Sequence, residues 1–219
     1  NLWLLKNKIV LLLAMIGLIS LYSTSVLIQG GGLRMTLMQS IWYVIGIGAA
    51  AVTMLFDSEQ LWKITGYLYW IGIVALILTL FLYDRELASK TGARSWVRIP
   101  IINNTLQPSE FVKIPYILML AKVTTLHNAR FKNRTLESDF QLIGKYILWS
   151  IPPFALIMAQ NDSGTTLVYT AILAGIFMLS GIQWKIIVPI ILVVTIVGGG
   201  IIFLVLYNRD FLERTLGVQ

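Results

Sequence analysis

Two short polar strings interrupt an otherwise oily chain: Gln107-Pro-Ser-Glu-Phe-Val-Lys113 and Gln160-Asn-Asp-Ser-Gly-Thr-Thr166. Each sets ionisable groups at the edge of, or inside, a segment apolar enough to enter a bilayer. Charge at that depth is costly and usually marks a working site. Pro108 suits the first turn of a helix, where its missing N–H is one the turn leaves unpaired anyway. Glu110 and Lys113 then stand three residues apart on one face, within reach of each other. They can act as an ion pair that fixes helix packing, or as the wall of a polar cavity that binds or orients substrate. Asp162 stands where the next helix would begin. There its carboxylate can cap the first N–H groups, or it can face the same cavity as Glu110. Gly164 would admit a neighbouring helix, and Thr165 and Thr166 can bond their own backbone.

A third string, Thr91-Gly-Ala-Arg-Ser-Trp-Val-Arg98, mixes cations with an aromatic. Arg94 and Arg98 carry planar forks suited to phosphate. Trp96 has the amphipathic ring that settles at a membrane interface. The same string could simply rest on lipid headgroups. Arg209 and Arg214 present the same choice further along.

The elements that position these residues follow from composition. The chain has 219 residues, a mean hydropathy of +0.79, and is 57% hydrophobic but only 12% charged. A soluble domain carries about 25% charged residues. A soluble core could not hide so much apolar surface, so the bilayer is the expected solvent. Seven stretches are candidate helical spans: Ile9–Ile28, Met38–Phe56, Ile64–Tyr83, Ser109–Leu126, Leu142–Ala159, Thr165–Ile182 and Ile186–Tyr207. Trp3, Trp42, Trp62, Trp70, Trp149 and Trp184 fall near span ends, as interfacial anchors do. The expected fold class is all-α, a polytopic transmembrane helical bundle, with residues 1–219 forming a single membrane domain.

The Lys and Arg residues divide nearly evenly between the two sides that this alternation defines. The densest basic loop, Lys122 to Lys145, favours a cytoplasmic N-terminus. Asp84–Gln107 is a long loop on the outer side, with turn signals at Gly92, Pro100 and Asn103-Asn104. Asn128–Asp139 reads as an ordinary solvated connection. The sequence stops in a polar stretch after Arg209 and Arg214, so the N-terminal part of a longer protein is expected.

Some chemistry is excluded. With no cysteine there is no disulfide framework and no thiolate nucleophile. His127 is the single histidine and cannot build a zinc site with others of its kind. No cofactor is identified; a divalent cation could assist, but no ligand cluster argues for one. The net charge of +7 suits anionic lipid or an anionic substrate. No aromatic-basic surface motif points to nucleic acid.

Gly92-Ala-Arg-Ser-Trp96, Gln107 to Lys113, and Asp162-Ser-Gly-Thr165, in this order and spacing, resemble the SEDS proteins (shape, elongation, division and sporulation). Met178-Leu-Ser-Gly-Ile-Gln-Trp-Lys185 is more similar to the RodA-like elongation branch than to the FtsW-like division branch. The resemblance implies a ten-helix enzyme of the bacterial cell membrane, a peptidoglycan glycosyltransferase that polymerises lipid II for cell elongation and shape. It also implies a class B penicillin-binding protein as partner. By residue-wise match, Glu110, Lys113 and Asp162 fall at the family's central polar cavity, and Arg209 and Arg214 where basic residues flank a large outer loop. The family's catalytic aspartate lies in that loop, and its counterpart is expected beyond Gln219. Asn161 departs from the family, which usually has Pro before the acid. Two other functions fit the same residues. A lipid II flippase would use Glu110, Lys113 and Asp162 to line a path for the headgroup; a scaffold of the cell-wall synthesis complex would use them only for packing.

Overall fold

A computed structural model describes residues 2–27, 32–53, 57–99, 104–133 and 135–207. Helices dominate. They are α1 (Leu2–Leu27), α2 (Gly32–Thr53), α3 (Ser58–Leu82), α4 (Arg85–Thr91), α5 (Pro108–Arg130), α6 (Leu136–Ala159), α7 (Ser163–Leu179) and α8 (Trp184–Tyr207). The seven long helices coincide with the seven apolar stretches read from the sequence. Two of them, over Glu59–Leu82 and Leu136–Ala159, are long and apolar enough to cross a membrane among the described residues, and shorter apolar stretches occur in α1, α2, α7 and α8. Their outward faces carry large apolar side chains such as Leu11, Val44, Phe81, Leu148 and Leu167. A bilayer covers such a surface at no cost, whereas water does not.

The chain divides into two compact units, Asn1–Leu61 and Trp62–Gln219. In the first, α1 packs on α2, and a Cβ added at Gly17 would come within 3.0 Å of the Tyr43 hydroxyl. The second holds the polar strings. There α5 runs antiparallel to α3 and α6 and parallel to α7. One end of this unit gathers Gln107, Asp162 and Arg94. The other gathers His127, Lys145, Asp139 and Gln183.

The core between these helices contains Leu76, Leu120, Leu142 and Ile157, with four buried tyrosines, Tyr69, Tyr116, Tyr146 and Tyr169. A buried phenol needs a partner, and each has one on another helix. Tyr116 pairs with Ser150 Oγ at 2.8 Å, Tyr146 with Thr124 Oγ1 at 2.6 Å, and Tyr169 donates to the Ser109 carbonyl at 2.9 Å. Tyr69 donates to the Trp149 carbonyl at 2.6 Å. That carbonyl lies four residues before Pro153, inside α6. Proline has no N–H to give it, so the tyrosine of α3 satisfies the group that the proline orphans. Close approach of α3 to α5 rests on Gly72, where a Cβ would stand 3.0 Å from Val112 Cγ1.

Three details differ from the sequence expectation. Gly164 meets no neighbouring helix; a Cβ there would touch only Asp162 Oδ1, at 3.8 Å. The helix contact expected of it falls to Gly72 instead. Trp70 and Trp149 are not span-end anchors but lie mid-helix, in an edge-on aromatic cluster with Tyr69. The described part of region 84–107 is not irregular: it holds α4 and an antiparallel pair of strands, β1 (Val97–Ile99) and β2 (Asn104–Leu106). Asp84 starts α4 by accepting from the backbone N–H groups of Glu86 and Leu87, and Gly92 ends it at φ 75°, a conformation that favours glycine.

Candidate functional site

The hairpin delivers the chain to Gln107, immediately before Pro108 opens α5. Gln107 makes no side-chain cap for its own helix. Its amide instead crosses to the α6–α7 turn, donating to Asp162 Oδ2 at 2.7 Å and to Thr165 Oγ1 at 3.0 Å. Asp162 caps α7, as its place in the sequence suggests: Oδ1 accepts from Thr165 N at 2.9 Å. Thr166 Oγ1 bonds the Asp162 carbonyl at 2.9 Å, but Thr165 uses its hydroxyl for the cross-link to Gln107 rather than for its own backbone. The turn is also clasped from the third polar string, where Arg94 N donates to the Gln160 carbonyl at 2.7 Å. Gln160 is fully buried and donates its side-chain amide to the Leu76 carbonyl of α3. All three sequence strings therefore meet at one end of the second unit.

Burial pushes the Asp162 carboxyl up. The Thr165 backbone N–H, the Ser95 and Thr165 hydroxyls and the Gln107 amide outweigh it, so its proton affinity falls below the usual carboxylate value. Ser95 itself is buried, and it stands near enough to stabilise that charge without completing a well-formed hydrogen bond. Asp162 is thus an anion at neutral pH. It has no proton to donate, and it is suited to fixing hydroxyl or cationic groups of a ligand rather than to acid catalysis. It lines a cleft of about 440 Å³ with Asn161, Ser163, Thr166 and Thr170, closed on its apolar side by Met158 and Leu167.

Glu110 and Lys113 form the expected pair on the first turn of α5, at 2.7 Å, with Lys113 mostly buried and Glu110 about half exposed. They stand one turn from Gln107 but do not line the Asp162 cleft. The link between the two strings runs through Gln107 and Thr165.

The loop cations divide by partner. Arg98 donates through Nε to Asp84 at 2.6 Å and through a terminal nitrogen to Glu86 at 3.1 Å. Arg98 first, with the α4 backbone N–H groups, holds the Asp84 carboxyl below its usual range. This geometry makes Arg98 a brace that ties β1 to the start of α4. Arg94 is exposed and lies over the Tyr83 ring, 5.6 Å from its centre. Trp96 is half-buried, and its carbonyl accepts from Asp84 N. Arg209 and Arg214 lie outside the described residues, as does Asn103. No group of His, Asp and Glu among the described residues is arranged to hold a metal ion.

Gln107, Thr165, Ser95 and Gln160 were not singled out in the sequence as site residues. A polar residue just before a helix-opening proline was the available signal for Gln107. At the opposite end, the connection around 131–135 is short and flanked by buried polar groups. Asp139 is fully buried and accepts from Gln183 N at 3.1 Å, and His127 Nδ1 lies 3.1 Å from Lys145 Nζ. There the sequence suggested only a solvated loop.

Residues 4–215 match the FtsW/RodA/SpoVE family, described as cell cycle proteins. The chain belongs to this family, the SEDS proteins. Among similar proteins, peptidoglycan glycosyltransferase MrdB of Helicobacter pylori is 35% identical over 92 residues, 42% of this chain and 23% of that protein. Probable peptidoglycan glycosyltransferase FtsW of Allochromatium vinosum is 34% identical over 120 residues, 54% of this chain and 28% of that protein. The matched stretches thus span about a quarter of the length of these curated relatives. No solved structure matches the chain. Family membership and the apolar helices together make this a membrane protein.

Proposed function

We propose that the whole protein is a peptidoglycan glycosyltransferase that polymerises lipid II into glycan strands, in the bacterial cell membrane, with a class B penicillin-binding protein supplying cross-linking. The observation that carries this reading is the family match, which runs through the junction where Gln107 holds Asp162 as an anion beside an open cleft. Relatives that match part of the chain are named as peptidoglycan glycosyltransferases.

In the reaction, the oxygen of an acceptor sugar hydroxyl bonds to the anomeric carbon of the donor. The bond from that carbon to the lipid diphosphate breaks, and the hydroxyl proton passes to a base. Catalysis requires that the two sugars be oriented and that the charge appearing on the diphosphate be met by cations or hydrogen-bond donors. Asp162, Glu110 and Lys113 are assigned to holding the polar headgroup, and Arg94 to the phosphate side. The proposed topology is multi-pass with the N-terminus in the cytoplasm. This sets the junction on the outer face, where glycan strands are built.

The test combines the purified whole protein, its transpeptidase partner and lipid II, and resolves the products on a gel. A ladder of glycan strands is expected, and its loss on chelation would show that a divalent cation accompanies the diphosphate. Lipid II moved between leaflets with no polymer formed would replace the enzyme by a flippase.

A further inference from the structure

Around α4, four cations share two carboxylates. Lys90 takes Glu86 at 2.9 Å, and Arg98 takes both Asp84 and Glu86. Arg85 and Arg94 are left with no carboxylate partner among the described residues. These two arginines line one cleft of about 310 Å³, together with Tyr83, Ser89 and Asn161. Its position is built rather than incidental. The Arg94 backbone is pinned to Gln160, its guanidinium is laid over Tyr83, and Arg85 rises from the first residue of a helix that Asp84 caps and Arg98 braces. Asn161 takes φ 56° and lines both this cleft and the one beside Asp162. The two clefts are therefore neighbours with a common wall, one cationic and one carrying an anion.

We propose that Arg85, Arg94 and Asn161 form an anion subsite that takes the diphosphate of a lipid-linked sugar, placing the attached sugar toward the Asp162 cleft. Two guanidinium groups with no carboxylate partner among the described residues match the two charged phosphates of a diphosphate ester, and their planar forks bind such oxygens in pairs. The neutral amide of Asn161 adds donors without a competing charge. A phosphate ester and an anionic lipid headgroup offer the same chemistry. Two cations lining one cleft favour the diphosphate over a headgroup with a single charge. The identity of the attached sugar rests on the glycosyltransferase reading; the anion subsite itself does not.

The test uses the full chain in nanodiscs of neutral lipid, with binding of a short isoprenyl diphosphate read by titration. Isoprenyl monophosphate and phosphatidylglycerol serve as competitors. Arg85→Gln and Arg94→Gln should each weaken diphosphate binding about tenfold, as loss of one charge-assisted contact does. Lys90→Gln, whose cation is paired and exposed, should leave it within about twofold. Arg94→Lys keeps the charge but loses the fork, and should fall between. Helix content and melting temperature confirm that each variant is folded. Equal competition by phosphatidylglycerol would overturn the diphosphate assignment in favour of a headgroup contact. Equal weakening by Lys90→Gln would reduce the effect to general charge and overturn the subsite. Glycan polymerisation by the Arg85→Gln and Arg94→Gln variants at wild-type rates and affinities would overturn the subsite while leaving the enzyme reading intact. Arginine-dependent diphosphate binding by a protein that never polymerises would do the reverse.

Discussion

Gln107 and Asp162, 55 residues apart, are joined by a 2.7 Å hydrogen bond from the glutamine amide to the carboxylate. The bond ties the start of α5 to the start of α7, and it makes one site of two strings that the sequence keeps apart. Its energetic coupling is measurable. Gln107→Ala and Asp162→Ala should each destabilise the fold, the second more because it also removes the α7 cap. The double variant should lose less than the sum, with a coupling of about 0.5–2 kcal/mol. Reversible unfolding in mixed micelles gives all three values. Strict additivity would mean that the bond contributes nothing.

Acid should loosen this end of the molecule first. Asp84, Glu86 and Asp162 are all held below their ordinary carboxyl values, Asp84 and Glu86 chiefly by hydrogen bonds from Arg98 and Lys90, and Asp162 by donors that outweigh its burial. A carboxyl whose folded value is depressed binds its proton more readily when unfolded. Its stabilisation is complete above the unfolded value of about 4 and is lost as pH falls through the lower folded value. Hydrogen exchange over 84–99 and 160–166 should be unchanged between pH 7 and about 5 and should accelerate below about 4. Acceleration that begins near neutrality would contradict the assignment.

Tyr69→Phe keeps the ring and removes the donor to the Trp149 carbonyl that Pro153 leaves orphaned. The expected loss is about 0.5–2 kcal/mol, the range for one buried bond inside a membrane core. Restoring an N–H by Pro153→Ala should shrink the effect of Tyr69→Phe, because the carbonyl then has a helical partner. Unchanged sensitivity to Tyr69→Phe in that background would show that the proline is irrelevant.

Asn161 takes φ 56°, far from the φ near −65° to which proline is fixed. In this chain Asn161→Gly should be tolerated, within about 1 kcal/mol, because glycine adopts positive φ freely. Asn161→Pro should force the turn to rebuild, lowering the melting temperature and disturbing both clefts. A proline variant as stable as the parent would mean that the turn has two equivalent forms.

Much of this was readable in advance because the physics is local. Seven apolar stretches specified seven long helices. Pro108 announced the start of α5, and Asp162 the cap of α7. The i, i+3 spacing brought Glu110 onto Lys113. What stayed hidden depends on long-range partners. Nothing in the sequence says that Arg98 is consumed by Asp84 and Glu86 while Arg85 and Arg94 are not, because that division follows from the register of the hairpin against α4. Nor does it say that Gln107 reaches across to Asp162, or that Asp139, inside an apparently solvated basic stretch, is buried against the start of α8. The glycine expected to admit a helix was Gly164, yet only the packed pair of α3 and α5 shows that Gly72 does so.

The central claim is that the Gln107–Asp162 junction is part of a glycan-polymerising site. Its most direct test is a gel of products formed from lipid II by the whole protein with its transpeptidase partner, comparing the parent with Asp162→Ala and Gln107→Leu. Both variants would first be shown to be membrane-inserted and helical. The parent should give a ladder of glycan strands, Asp162→Ala should lose it at least about a hundredfold, and Gln107→Leu should fall between, as loss of one positioning bond implies. A ladder from Asp162→Ala equal to the parent's, or no polymer from the parent itself, would contradict the account.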